Sequence, residues 1–287
     1  MSRFVRRLQR VPVKGGTSAP YPSVSNTGPT SGTVLDDNGG SGWAPANFYG
    51  CADGTVWNGY VINCSYPIEF PAGDAGKTIT FRNCTINDGG VYWMVLNDLG
   101  VPHLIFDHCE FIGAGAANPA NDAALNGDNI TVQYCNIHSC GDGAKIGSRV
   151  VYEYNYIHDL YVTGTSHNDG IQSLGTAGNG SEGSGALIYH NFFDASNGAT
   201  CITLSTGSAS DMRDVLVEDN LLYCNGYAVN GGYSAGVDNV SKVSDIVYRN
   251  NKIKYGSFTP ALTSVDSPVV VTGTTWYDGP NAGQPAQ

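Results

Sequence analysis

The sequence predicts an all-β solenoid, a chain wound into parallel coils that stack along one axis. Three observations predict it. A nine-residue pattern recurs seven times, as "TITFRNCTI" from 78, "HLIFDHCEF" from 103, "NITVQYCNI" from 129, "RVVYEYNYI" from 149, "GALIYHNFF" from 185, "DVLVEDNLL" from 214 and "DIVYRNNKI" from 245, with a weaker copy, "GTVWNGYVI", from 54. Successive seventh positions lie 25, 26, 20, 36, 29 and 31 residues apart, and no stretch between them is helically patterned. Such a period, filled only by short strands, is the mark of a β-solenoid. The composition agrees: 38 Gly supply turns, while 41% hydrophobic residues supply a core.

Within the repeat, the second and fourth positions are almost always apolar, which is strand alternation with one buried face. The seventh position is Cys84, Cys109, Cys135, Asn155, Asn191, Asn220 and Asn251 in turn. Stacked at the strand spacing of about 4.8 Å, Asn side chains hydrogen-bond along a ladder, and a buried Cys fills the same slot as a small apolar residue. The ninth position is a large apolar residue: Ile86, Phe111, Ile137, Ile157, Phe193, Leu222 and Ile253. Three cysteines in one column cannot all pair, so most of the eight Cys read as reduced core residues. Cys201 and Cys224, on adjacent coils, are the pair left open for a disulfide.

Along the chain, residues 1–34 form a basic, Gly-, Pro- and Ser-rich N-terminal arm that lies along or caps the solenoid. Residues 35–256 hold the coils, about eight to nine in all. Residues 257–287 supply a terminal coil, with "PVVVTGTTWY" as one strand, and then a polar tail, "DGPNAGQPAQ", expected to fray. The net charge is −11, and it is unevenly placed. Arg3, Arg6, Arg7, Arg10 and Lys14 precede the first acid, Asp36, and are candidates for docking an acidic partner surface. The other nine Lys and Arg face 25 Asp and Glu. So acidic a body argues against nucleic acid as a ligand. No run of 18 apolar residues is present, so no membrane insertion is expected, and the leader lacks the apolar segment of a secretory signal, which points to synthesis in a cytoplasm.

One outer row departs from a solvated strand face. The third repeat position holds Thr80, Ile105, Thr131, Val151, Leu187, Leu216 and Val247, whereas the fifth is mostly polar. The apolar row predicts a cover, either the chain's own arm or neighbouring subunits.

Candidate chemistry lies in the turns. Asp88-Gly89, Asp142-Gly143, Asp169-Gly170, Asn197-Gly198 and Asn225-Gly226 each precede an apolar strand start and align as one turn series. Asp142 and Asp169 fall on consecutive coils, where a carboxyl pair would suit acid–base cleavage of a glycan or a cation for elimination. Lys145 and Gln172 follow them by three residues and point outward beside them. His167 arrives on the longest coil. His138, His158 and Asp194 each fall three residues after a seventh position, in one column, and are expected to join the Asp pair in one polar cluster. Catalytic candidates are therefore Asp142, Asp169, His167 and Lys145. Glycan-binding candidates are Gln172, His138, His158, Asp194 and Tyr161. Exposed aromatics such as Tyr92, Trp93, Tyr161 and Tyr233 are stacking platforms on a non-catalytic carbohydrate-binding reading. Stacked polar ladders arise in solenoids without metals, so no metal and no cofactor are expected.

The apolar alternation, the Asn or Cys ladder and the coils of about 25 residues, over roughly 50–256, resemble the pectate-lyase-like superfamily. That resemblance implies a single-stranded, right-handed parallel β-helix. A narrower one covers both ends of the domain. "YPSVSNTGPTSGTVL", "GTVWNGYVINC", "ITFRNCTI" and "TGTTWYDGP" are similar to β-helix proteins encoded by phages of actinobacteria. It implies a virion protein, a minor-tail or tailspike-like component, homotrimeric, contacting other virion proteins and a host cell-surface polysaccharide. "SHNDGIQ" at 166–172 also resembles the Asn-x-Asp signature of polygalacturonases. The Asp-Asp pair, Gly-His-Gly and Arg-x-Lys that those enzymes carry on later coils are missing here. The Arg base of pectate lyases is also missing near this cluster, since Arg213 and Arg249 are the only arginines after 149. The expectation is a virion structural protein, with a polysaccharide lyase or glycoside hydrolase as the alternative.

Overall fold

In the computed structural model the chain is a parallel β-solenoid. The structure describes residues 20–29, 33–36, 48, 50–97, 102–161, 168–174, 185–205, 212–233, 235, 240–258 and 260–286. Among these, strands form three parallel sheets of nine, ten and seven members, and each coil visits the three sheets in that order. Seven coils place a strand in every sheet and partial coils close each end, against the eight to nine coils expected. No helix among the described residues is long and apolar enough to cross a membrane.

The repeat explains the winding. Positions one to five run along the first sheet, with adjacent coils in register: Thr80 lies against Ile105, Ile105 against Thr131, Thr131 against Val151. Second and fourth positions point inward, so Ile79, Phe81, Leu104, Phe106, Ile130, Val132, Ile188 and Val217 are fully buried. Phe81 and Phe106 stack at 5.1 Å between ring centroids. The sixth position makes the corner into the second sheet. Asn83, His108, Tyr134, Tyr154, His190, Asp219 and Asn250 all adopt positive φ there, between 50° and 58°, and the weaker copy has Gly59. A left-handed residue bends the chain sharply, and Asn and Asp tolerate it best. The ninth position then enters the core of the second sheet, with Ile86, Phe111, Ile137, Phe193, Leu222 and Ile253 fully buried.

The seventh-position column runs inside this corner. From Asn155 to Asn251 it is one unbroken chain. Oδ1 of Asn191, Asn220 and Asn251 each accepts the Nδ2 and the backbone N–H of the previous Asn, at 2.9–3.0 Å, Asn155 Oδ1 accepts the Cys135 N–H, and each Nδ2 also reaches a backbone carbonyl. Cys84, Cys109 and Cys135 continue the column with longer contacts, such as Cys109 N–H to Cys135 Sγ at 3.3 Å. All eight cysteines are buried free thiols, Cys201 and Cys224 included, so no bridge joins that pair. Burial pushes the Cys109 and Cys201 thiols well above the usual range.

Residues 20–29 of the arm lie along the corner across several coils. The Tyr21 ring stacks on His190 at 5.1 Å, and Gly28 N–H donates to the Tyr134 carbonyl. Pro20, Pro22 and Asn26 face Tyr134 and Tyr154 around a hollow of about 330 Å³. In the third-position row, Leu187 and Leu216 are 7% and 2% exposed within one chain, while Ile105, Val151 and Val247 are half-buried. The docking candidates Arg3, Arg6, Arg7, Arg10 and Lys14 lie outside the described residues.

The C-terminal tail departs from expectation. "PVVVTGTTWY" is two short strands, Val270–Thr272 and Thr275–Trp276, separated by Gly273 at φ 64°. The tail folds back rather than fraying: Trp276 N–H donates to Gln284 O, Gly283 N–H to Trp276 O and Ala286 N–H to Thr274 O. Ala286 is 2% exposed. An open solenoid end leaves unpaired backbone, and this return covers it.

Candidate functional site

The first correction concerns the Asp-Gly series. Only Asp142-Gly143 and Asp169-Gly170 share a column. Register pairs Ala144 with Ile171 and Lys145 with Gln172, at the start of strands Asp142–Ile146 and Asp169–Leu174 of the third sheet. Asp88 ends a strand of the second sheet, opposite Cys64. Asp169 is opposite Thr200, three residues beyond Asn197, so Asn197-Gly198 is out of step as well. The turns between the second and third sheets differ in length, so residues alike in type fall at different heights on successive coils. Nor is Gly143 there for a turn. A Cβ on it would stand 2.4 Å from the Gly170 carbonyl oxygen and 2.7 Å from Ile157 Cγ2. Gly170 meets the Cys201 carbonyl and the Phe193 ring in the same way. The glycines let neighbouring coils approach where the aspartates enter.

Asp142 and Asp169 are both buried, 4% and 3% exposed. Asp142 Oδ1 accepts the Asp169 backbone N–H at 2.8 Å, so one carboxyl fastens two coils. Burial, with the neighbouring Asp169 charge adding to it, raises the Asp142 pKa to about 8. Lys145 lies on Asp122, at 2.7 Å from Oδ1 and 2.6 Å from Oδ2, and 3.8 Å from Asp142 Oδ2. Trp93 Nε1 donates to Asp122 Oδ2 at 2.9 Å. Gln172 Nε2 donates to Asp169 Oδ2 at 3.2 Å. Outward from them runs a polar row in register: Asn126, Lys145, Gln172, Thr203, Asn230 and Thr263.

Asp122 was not among the sequence candidates, and Trp93, expected as an outer stacking platform, is half-buried and binds Asp122 through its indole N–H. Asp122 ends a turn one coil before Asp142 and is followed by Ala123, not Gly, so a search for Asp-Gly passes over it. The signal that finds it is register: Asp142 pairs with Ala123, and Trp93 also pairs with Ala123 from the other side.

The second correction concerns the histidines. His138, His158 and Asp194 do stand in one column, but on the second sheet, apart from the aspartates that open the third. They stack and bond among themselves. His138 and His158 rings lie 5.1 Å apart, and Tyr156 stacks on His158 at 4.0 Å. His138 Nε2 is 3.2 Å from Glu110 Oε1, and His158 Nε2 is 3.0 Å from Asn136 Oδ1. His158 is 8% exposed and not solvated, and burial lowers its pKa. Asp194 Oδ1 accepts the Ser196 N–H. No cluster of three His, Cys, Asp or Glu among the described residues could hold a metal.

Tyr161 is half-buried, its backbone bonded to Cys140 O and to Asn168 Nδ2. Tyr92 is 52% exposed, whereas Tyr233, at 7%, is no outer platform. His167 lies outside the described residues.

No family model, curated protein or solved structure matches this chain.

Proposed function

We propose that this chain is a structural component of a phage virion, a β-helix of the minor-tail or tailspike-like kind. It docks through its N-terminal arm and presents its coils to partner proteins or a host surface glycan. It is made in the host cytoplasm and assembles as a homotrimer. The observation that carries the non-catalytic part is that the carboxyl groups of this site serve the scaffold. Asp142 accepts a backbone N–H of the next coil, and Asp122 is held by Lys145 and Trp93. A glycan-cleaving pair needs carboxyl groups open to substrate. The phage assignment rests on the four short motifs given above. Mass spectrometry of purified virions should find the chain at stoichiometric level, and its absence would overturn the reading.

A depolymerase is the second reading. The outward polar row beside the aspartates, Asn126, Lys145, Gln172, Thr203, Asn230 and Thr263, favours it, because amides, hydroxyls and an amine in register can bond sugar hydroxyls. Incubation with envelope polysaccharide should then release new reducing ends or unsaturated products. None appearing removes this reading.

A further inference from the structure

The geometry points to an amide bond between the Lys145 amine and the Asp122 carboxyl, formed by the folded chain itself and stapling two adjacent coils. The two residues are 23 apart in sequence, Lys145 on the strand Asp142–Ile146 and Asp122 at the end of the turn that leads into the neighbouring strand Ala123–Gly127. Lys145 Nζ touches both oxygens of the Asp122 carboxyl, at 2.7 and 2.6 Å. Fixing an amine against a carboxyl turns a bimolecular condensation into a unimolecular one, which raises its rate by orders of magnitude. The Asp122 χ2 torsion is soft, so a rotation of the carboxyl turns its carbon toward the amine.

Two further groups complete the chemistry. Trp93 Nε1 donates to Asp122 Oδ2 at 2.9 Å and draws electron density from the carbon to be attacked. Asp142 Oδ2 lies 3.8 Å from the same Nζ, on a side chain 6% exposed. Burial keeps a proton on it at neutral pH. Lys77, by contrast, contacts Asp74 three residues away in its own turn and donates to the Cys51 carbonyl, with no second acid in those contacts.

The step balances without any co-reactant. The Lys145 ammonium gives a proton to the Asp122 carboxylate, leaving a neutral amine and a neutral acid. The amine lone pair attacks Cγ, and the Nζ–Cγ bond forms. Asp142 protonates the departing oxygen and recovers a proton from the attacking nitrogen. The Cγ–O bond breaks and one water leaves. Ammonium plus carboxylate becomes amide plus water, with Asp142 unchanged. The product ties coil to coil on the outer face, where the inner Asn ladder does not reach.

The test is the mass of the full chain. Purified protein, shown to be folded by circular dichroism and held at neutral pH, is denatured and weighed by electrospray. The expected mass is the sequence mass less one water, and protease digestion should yield a branched peptide joining Asp122 to Lys145. Lys145→Arg and Asp142→Asn should each return to full mass, whereas Asp122→Asn should lose one ammonia instead. Wild-type protein at full mass overturns the inference. So does a water loss with no branched peptide, which would mark a succinimide at an Asp-Gly step. The result is independent of virion residence, since either property can hold without the other.

Discussion

Two buried polar rows hold this solenoid together, and they solve the same problem by different chemistry. The corner column stacks Asn155, Asn191, Asn220 and Asn251, each both donor and acceptor, so the pattern repeats from coil to coil without accumulating charge. The row opening the third sheet uses aspartates, which accept but do not donate when ionised. It extends over only two coils in register, needs Lys145 beside it, and leaves Asp142 protonated. A neutral amide can be translated along a solenoid indefinitely, whereas a carboxylate row is limited by repulsion and desolvation. The corner column itself shows the third option. Its first three coils use Cys, which fills space but bonds weakly.

The sharpest break of this comparison is Asn191→Ala. It leaves the Asn155 N–H without its acceptor and takes the Asn191 amide from the Tyr152 carbonyl, while Asn155 Nδ2 keeps the Val132 carbonyl and Asn220 Oδ1 keeps the residue-191 backbone N–H. At about 1–3 kcal/mol for each buried group left short of a partner, partly relieved by relaxation, the expected loss is about 3 kcal/mol, read as a fall in the urea midpoint.

The aspartate row should respond to pH where the Asn column does not. The folded Asp142 pKa is raised from 3.8 to about 8, so the folded state holds a proton that the unfolded state releases. Its contribution is full at the acid end, is lost as pH rises across that window, and changes no further above it. The loss is on the order of 5 kcal/mol, since each tenfold difference in proton affinity between the two states is worth about 1.4 kcal/mol. Asp142→Asn should flatten the thermal midpoint between those limits, and an unchanged slope would count against the burial argument.

The Cys half of the column is the weaker half, and two smaller effects measure it. Cys109→Ala should cost about 1.5 kcal/mol, mostly lost packing. Cys135→Asn should extend the amide ladder by one coil, because Cys109 already donates its N–H to that position. The expected gain is about 1 kcal/mol in chemical denaturation. A net loss would mean that the upper coils are too tight for an amide.

Much of this was legible in the residues. Strand alternation named the inward side chains, and the seventh-position column could be read because stacking places like residues on like. Side chains whose role depends on the loops were not legible. Asp88, Asn197 and Asn225 matched Asp142 by type and not by place, because turns of unequal length shift each coil differently before the third sheet. His158 looked like a surface residue, yet the Tyr156 and His138 rings and the Asn136 amide enclose it.

The sequence by itself determined the winding: a period near one coil, a two-residue alternation within it, and a corner slot that holds Asn or Cys in all seven full copies. Those features are local, repeated and translated by stacking, so each copy reinforces the reading of the others. Only the tertiary structure decided which polar groups meet across coils. It brought Asp122, Asp142, Lys145 and Trp93 together, set the histidines on another sheet, laid residues 20–29 along the corner and turned the tail back over the open end. Those contacts depend on loop lengths and on the register of one coil over the next. Neither leaves a periodic trace in the chain, because each loop occurs once.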